Sequence, residues 1–217
     1  MRGISRIRVV LWLFVFATVS SVVSAQESAP ERTRGIYIDL GLGFGDIRYL
    51  NGDAKTIAKG FSQGAATRSA IDLDMFTIGG AIRDDLYVVG SITAFGEVYS
   101  YTKTSESQIA IDAMNQITIP MYGVGVRWYP LQSKKHLQLG YDLGISILDV
   151  RTEEFEDTSN TGFSQRVSVG WDFDSTLTGL AAILGGCAMF NIIEGDTSVS
   201  YALFVRLVFK GRLMSPR

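Results

Sequence analysis

From residue 35 onward, bulky apolar side chains recur at every second position. Gly35–Tyr49 (GIYIDLGLGFGDIRY), Leu86–Tyr99 (LYVVGSITAFGEVY), Ile117–Tyr129 (ITIPMYGVGVRWY), Leu137–Val150 (LQLGYDLGISILDV) and Ser198–Lys210 (SVSYALFVRLVFK) all carry this period of two. It is the period of a strand with two unlike faces. Ile71–Ile82 is a weaker member, because its parity blurs around Met75–Ile78. No stretch of the mature chain repeats at helical spacing over a useful length. Of the four prolines only Pro120 falls inside a predicted strand, where it marks a bulge or the extracellular end of that strand.

Ser164–Phe190 is harder to divide. Val167, Val169, Trp171, Phe173, Leu177, Ala181 and Ile183 keep one parity, which suits a single long strand. That would make seven strands, whereas bacterial single-chain barrels carry an even number. The segment is therefore split near Asp174–Thr176 into Ser164–Phe173 and Leu177–Met189. The breaks between strands alternate in length. Arg83–Asp85 and Leu131–His136 are short, while Leu50–Ala70, Thr102–Ala113 and Arg151–Gly162 are long and polar. The predicted fold class is all-β: an antiparallel up-and-down transmembrane barrel of eight strands.

Period alone does not say which face is inside, since a soluble lipocalin-like carrier also alternates, with its apolar face inward. The second face of the clearest strands holds Gly41, Gly43, Gly45, Gly123, Gly125, Gly140 and Gly144, with Asp39, Arg127, Asp142 and Arg206. Inside a narrow barrel such glycines make room for Tyr37, Tyr129 and Phe204. The apolar face offers five or six bulky groups per strand, enough to overfill an eight-stranded lumen but well suited to lipid. Tyr49, Tyr99, Trp128, Tyr129, Trp171, Phe173 and Phe209 lie near strand ends, where amphipathic rings form interfacial girdles. The greasy face is therefore expected outward.

The N-terminus fits this destination. Arg2, Arg6 and Arg8 precede an apolar run over Val9–Val23, and Val23-Ser24-Ala25 is a small-residue cleavage pattern. Residues 1–25 read as a secretory signal peptide, 26–34 as a short periplasmic lead, 35–210 as the barrel and 211–217 as a C-terminal tail. No cysteine stands directly after the expected cleavage site, which argues against a lipid-anchored N-terminus. A formal charge of −2 argues against a nucleic-acid partner.

Candidate chemistry is sparse. Cys187 is the only cysteine and His136 the only histidine, so no intrachain disulfide and no His/Cys zinc site can be assembled. No catalytic, cofactor or metal residues are assigned. Gly41–Asp46 (GLGFGD) resembles a phosphate loop superficially but lacks the strand–helix context. His136 is expected in a periplasmic turn, away from any hydroxyl–carboxylate set, and Cys187 on an outward apolar stripe facing lipid. Asp39, Asp142, Arg127 and Arg206, all predicted to face the lumen, are expected to form an ion-pair network, because unpaired charge there is costly. The loops supply the remaining candidates: Leu50–Ala70 is basic (Lys55, Lys59, Arg68) and Arg151–Gly162 acidic (Glu153, Glu154, Glu156, Asp157).

YGVGVRWYP before a short turn, HLQLGYDLGIS after it, and the last strand SYALFVRLVFK resemble the small eight-stranded outer-membrane barrels of the OmpA/OmpX/OmpW-type superfamily. The resemblance covers most of the mature chain as a pattern rather than a motif. It implies an outer-membrane location, partnership with membrane lipid and the barrel-assembly machinery, and surface loops. Such barrels commonly end on an aromatic residue, whereas here Phe209 is followed by KGRLMSPR. Two roles stay open, with a soluble lipocalin-like periplasmic carrier as a third, lesser one. One is a structural or surface-interaction barrel with a plugged lumen and an extracellular partner met through the loops. The other is an OmpW-like, porin-like passage for small apolar solutes.

Overall fold

The computed structural model describes residues 34–83, 85–104, 110–130, 136–152, 156–173 and 179–213, with side chains placed for all of these except 102–104, 110–113, 156–160, 212 and 213. Eight antiparallel strands close into one barrel in sequence order. They are β1 (Arg34–Asn51), β2 (Thr67–Arg83), β3 (Leu86–Thr104), β4 (Ala110–Trp128), β5 (Leu137–Arg151), β6 (Glu156–Asp172), β7 (Gly179–Ile193) and β8 (Asp196–Leu213). One helix, α1 (Asp53–Ser62), sits between β1 and β2. The predicted division of Ser164–Phe190 into two strands holds, with shifted boundaries; Asp174–Thr176 and Leu177 lie outside the described residues.

The barrel is inside out relative to a soluble one. Leu42, Leu73, Val124, Tyr141, Leu143, Val167, Val205 and Leu207 are exposed, while Asp39, Asp142, Arg127 and Arg206 are fully buried. At 15 to 19 residues the strands exceed the roughly 9–11 residues a tilted strand needs to cross a bilayer. Much of the stretches expected as loops, Thr102–Ala113 and Arg151–Gly162, therefore continues as strand. Above a membrane both faces of a strand meet water, so the alternation that marks it in sequence is lost.

The blurred parity at Met75–Ile78 has a covalent cause. Asp39 pairs with Thr77 but Gly41 with Asp74, and Asp74 pairs with Thr93 but Phe76 with Ile92. One extra residue, Met75, is accommodated as a bulge, and Met75 and Phe76 both point outward at 59% and 42% exposure. Pro120 is neither a bulge nor an end. It pairs in constant register with Ala94, and the β4–β5 register is unchanged from Thr118–Asp149 to Met121–Ser146.

Four further expectations are corrected. Tyr49, Tyr99 and Tyr129 do not join an interfacial girdle: Tyr99 and Tyr129 are buried inside, as the inner-face reading of Tyr129 required, and Tyr49 packs against the same core, whereas Trp128, Trp171, Phe173 and Phe209 are exposed. Ala181 and Ile183 share the parity of Val167 and Val169 yet face inward, because the β6–β7 register pairs odd numbers with even ones, Val167 with Ala188 and Asp172 with Ile183. Cys187 follows them: it lies on the inner face at 7% exposure rather than on lipid. The strand also outruns the expected tail, since Gly211, Arg212 and Leu213 pair with Ile36, Gly35 and Arg34.

The β7–β8 connection is a two-residue turn, Glu194–Gly195, with both φ angles positive (32° and 94°). This is the sense of twist that tight hairpins require. It brings Asp196 beneath α1, where its Oδ1 accepts a hydrogen bond from the Ala54 backbone N–H at 2.9 Å. Gly52, at φ 84°, precedes the helix; a Cβ there would fall 1.9 Å from Asp196 Oδ1. A carboxylate from β8 thus caps a helix that has no side-chain cap of its own. Replacing Asp196 by Ala is expected to cost about 1 kcal/mol locally, read as faster hydrogen exchange at the α1 amides with the strands unchanged.

Lipid is the only solvent that suits so wide an apolar exterior. Leu42 lies at mid-strand between Leu73 and Val205. Leu42→Arg is expected to destabilise the lipid-embedded barrel by about 2–4 kcal/mol, measured by urea unfolding in vesicles, whereas a surface change in a soluble barrel would be nearly silent.

Candidate functional site: the barrel interior

Each strand delivers its second-face residues to the axis, so the interior is a stack of layers. Near the end where β1 begins and β8 finishes, Tyr37, Tyr87 and Tyr129 pack ring to ring, with centroid separations of 5.2 and 6.2 Å. Gln138 donates to the hydroxyls of Tyr37 at 2.9 Å and Tyr129 at 2.8 Å. Tyr37 is on β1 and Gln138 on β5, four strands away, so this contact crosses the full diameter. Lys210 pairs with Asp172 in the same region.

Next come the arginines. Arg127 Nη1 donates to Asp142 Oδ1 at 2.9 Å, and Asp142 also accepts from Ser91 Oγ at 3.2 Å. Asp39 makes no side-chain hydrogen bond; its contact with Arg127 is Nε at 3.9 Å, so charge rather than hydrogen bonding holds it. Arg166 spans from β6 to β2, where it meets both Asp72 and Asp74, and Arg206 from β8 shares Asp74. The Arg206 guanidinium also lies 3.8 Å from the centroid of the Phe204 ring. Cys187 Sγ sits 3.3 Å from both Arg166 Nη2 and Asp72 Oδ2.

Toward the α1 end the polarity changes kind. Ser146, Ser164, Asn191 and Ser198 form a chain of side-chain hydrogen bonds. Above it Glu97 receives Tyr99 Oη at 2.7 Å and the Arg68 guanidinium, which also reaches Asp46 Oδ1 at 2.8 Å. Ala54 and Ala58 of α1 are buried over this layer, with Ile57 and Phe61 packed against the same core.

Glycine makes this interior possible at two points of close approach. A Cβ on Gly41 would fall 2.6 Å from Arg206 Cγ, and one on Gly125 would fall 2.2 Å from Asp142 Oδ1. Gly41 belongs to the GLGFGD stretch, whose glycines thus serve close packing within a strand, Gly41 against Arg206 and Gly43 and Gly45 against the β8 backbone. The predicted network is only partly the observed one: Arg127 joins Asp142 and Asp39, while Arg206 finds Asp74 instead. Asp72, Asp74 and Arg166 were not anticipated. The bulge at Met75 hid the first two, although IDLDM places them at the right spacing; Arg166 alternates with Val167 and Val169 and was legible in principle.

His136 stacks on Trp171 (5.2 Å between centroids, 12° between planes), and its Nδ1 lies 2.7 Å from the Asp172 carbonyl. Among the described residues no group of three or more His, Cys, Asp or Glu side chains could hold a metal ion. Of the basic candidates, Lys55 and Lys59 lie on α1 and Arg68 on β2. Of the acidic ones, Glu153 and Glu154 lie outside the described residues, as do the side chains of Glu156 and Asp157.

No protein-family model matches the chain, and neither does any curated protein. Solved structures do. Ail, the attachment invasion locus protein of Yersinia pestis, solved in complex with the heparin analogue sucrose octasulfate, superposes with a TM-score of 0.51 at 8% identity, covering 82% of this chain and 100% of that one. Neisserial surface protein A gives 0.47 at 16% identity over 79% and 96%. OprG of Pseudomonas aeruginosa gives 0.35 at 10% over 84% and 98%. The fold is that of the small eight-stranded outer-membrane β-barrels; identities this low extend the likeness to the fold alone.

Arg166 is the one cation here that engages two carboxylates on the opposite wall. Removing it leaves Asp72 facing Cys187 and Asp74 dependent on Arg206. Arg166→Ala is expected to lower stability by about 3–5 kcal/mol, seen as a shifted urea midpoint in lipid vesicles. A midpoint equal to that of the parent protein would mean that the ion pairs do not hold the walls together.

Proposed function

We propose that this chain is an integral outer-membrane barrel of non-catalytic role, with a lumen plugged by its own side chains and a surface-interaction function carried by the α1 end. The observation that supports it best is the bridge from Arg166 to Asp72 and Asp74, which places a desolvated ion cluster across the middle of the barrel. An eight-stranded barrel leaves an interior only just wide enough for side chains. Here three arginines and a tyrosine cluster occupy it. An ion crossing this layer would have to break pairs that water does not compensate.

The start of β1 and the end of β8 then lie on the periplasmic side and α1 faces outward, the arrangement in which such barrels present their loops. Lys55 and Lys59 on α1 and the β7–β8 turn are among the exposed parts of that end. Long strands raise them beyond the bilayer. The purified protein in planar bilayers is expected to give no single-channel steps at neutral pH. Discrete steps in the parent protein would overturn the plugged lumen and favour passage of solutes.

A further inference from the structure

The outer wall is not uniformly covered by bulky groups. On β7 the outward residues run Leu180, Ala182, Leu184, then Gly186 and Ala188, then Phe190 and Ile192. Gly186 pairs with Leu203 on one side and Val169 on the other; Ala188 pairs with Tyr201 and Val167. Where four large groups surround two small ones, the wall sinks into an open groove of about 730 Å³, which Phe44 and Asp46 of β1 extend. That volume falls within the range of about 300–1,000 Å³ common to small-molecule sites. Leu203, at 75% exposure, stands up along one edge.

Packing does not demand the glycine. A Cβ on Gly186 would meet only ordinary contacts, 3.5 Å from the Ala202 carbonyl and 3.7 Å from Leu203 Cδ2, unlike the inward glycines, which have no room. The depression is thus open space on the lipid-facing wall rather than a by-product of close strand approach. At its α1 end the chemistry changes. Asp46 is already satisfied, taking Arg68 at 2.8 Å on Oδ1 and Tyr201 Oη at 2.9 Å on Oδ2. Arg48 is different: it is exposed, has no carboxylate partner among the described residues, and lies over the Tyr201 ring with Cζ 5.7 Å from the centroid. A free cation leans toward the polar end of an apolar trough.

We propose that this groove is a binding site for one phosphate-bearing membrane lipid, with an acyl chain on Gly186 and Ala188 between the β6 and β8 side chains and the phosphate on Arg48. A second copy of the chain fits less well. Its flat apolar wall would ride on Leu203 and Phe44 without filling the trough, and it would bring no anion to Arg48. The proposal rests on the barrel standing in a membrane but not on a plugged lumen.

Native mass spectrometry of the detergent-released protein tests it, using phosphatidylglycerol and phosphatidylcholine of identical acyl chains as probes. The parent protein is expected to retain one phosphatidylglycerol. Arg48→Ala should weaken that retention about five-fold and weaken retention of phosphatidylcholine, whose phosphate is already balanced by its own choline, by less; Gly186→Leu, which fills the trough, should weaken both. Circular dichroism and detergent phase partitioning establish that each variant is still a folded membrane barrel. Equal retention by all three proteins, or a mass of two chains in place of the lipid adduct, would overturn the site while leaving the membrane reading intact. Recovery of the parent protein in the aqueous phase would instead remove the membrane reading itself.

Discussion

Charge inside a narrow cylinder has few places to go. Once the apolar set of each strand faces hydrocarbon, everything ionic on the other set is forced toward the axis, out of reach of bulk water. The sequence puts Asp39, Asp72, Asp74, Asp142, Arg127, Arg166 and Arg206 there, and the fold arranges them so that opposite charges meet from different strands. The lumen contacts follow from that constraint. Glycines thin the wall where an arginine stem passes, tyrosines close the terminal end, and Cys187 fills the space beside Asp72. Apolar exterior and ionic interior are one arrangement seen from two sides.

Much of this was legible because period two carries both the element and its orientation. Leu137–Val150 is the plain case: Gln138, Asp142 and Ser146 turn inward while Tyr141 and Leu143 turn outward, as the alternation requires. Legibility failed where one of three conditions removed the contrast. At Met75 an inserted residue reset the count. In β7 both faces are small or apolar, Ala181, Ile183, Cys187 and Met189 inward against Leu180, Leu184 and Phe190 outward, so hydropathy could not orient Cys187. Above the membrane, in Thr102–Ala113 and Arg151–Gly162, neither face needs to be apolar, and strand was mistaken for loop.

Helix α1 was missed for a different reason. DAKTIAKGFS is short and polar, and its ten residues fall inside a stretch taken as a loop. A signal was nonetheless present. Ala54, Ile57, Ala58 and Phe61 recur at three- and four-residue spacing, and these are the residues that pack against the top of the core. For the tyrosines, nearness to a strand end is the weaker signal. Tyr129 follows Trp128 directly, and the alternation that sends the indole outward sends the phenol inward.

The Asp196 carboxylate ties α1 to the order of events in assembly. That side chain belongs to the last strand, separated from Ala54 by 142 positions along the chain. Until β8 has zipped against β1, the first turn of the helix has no such acceptor for its backbone donors. A nascent barrel with an open seam would therefore carry a frayed segment at its outer mouth, and ordering of α1 would follow the moment the cylinder seals.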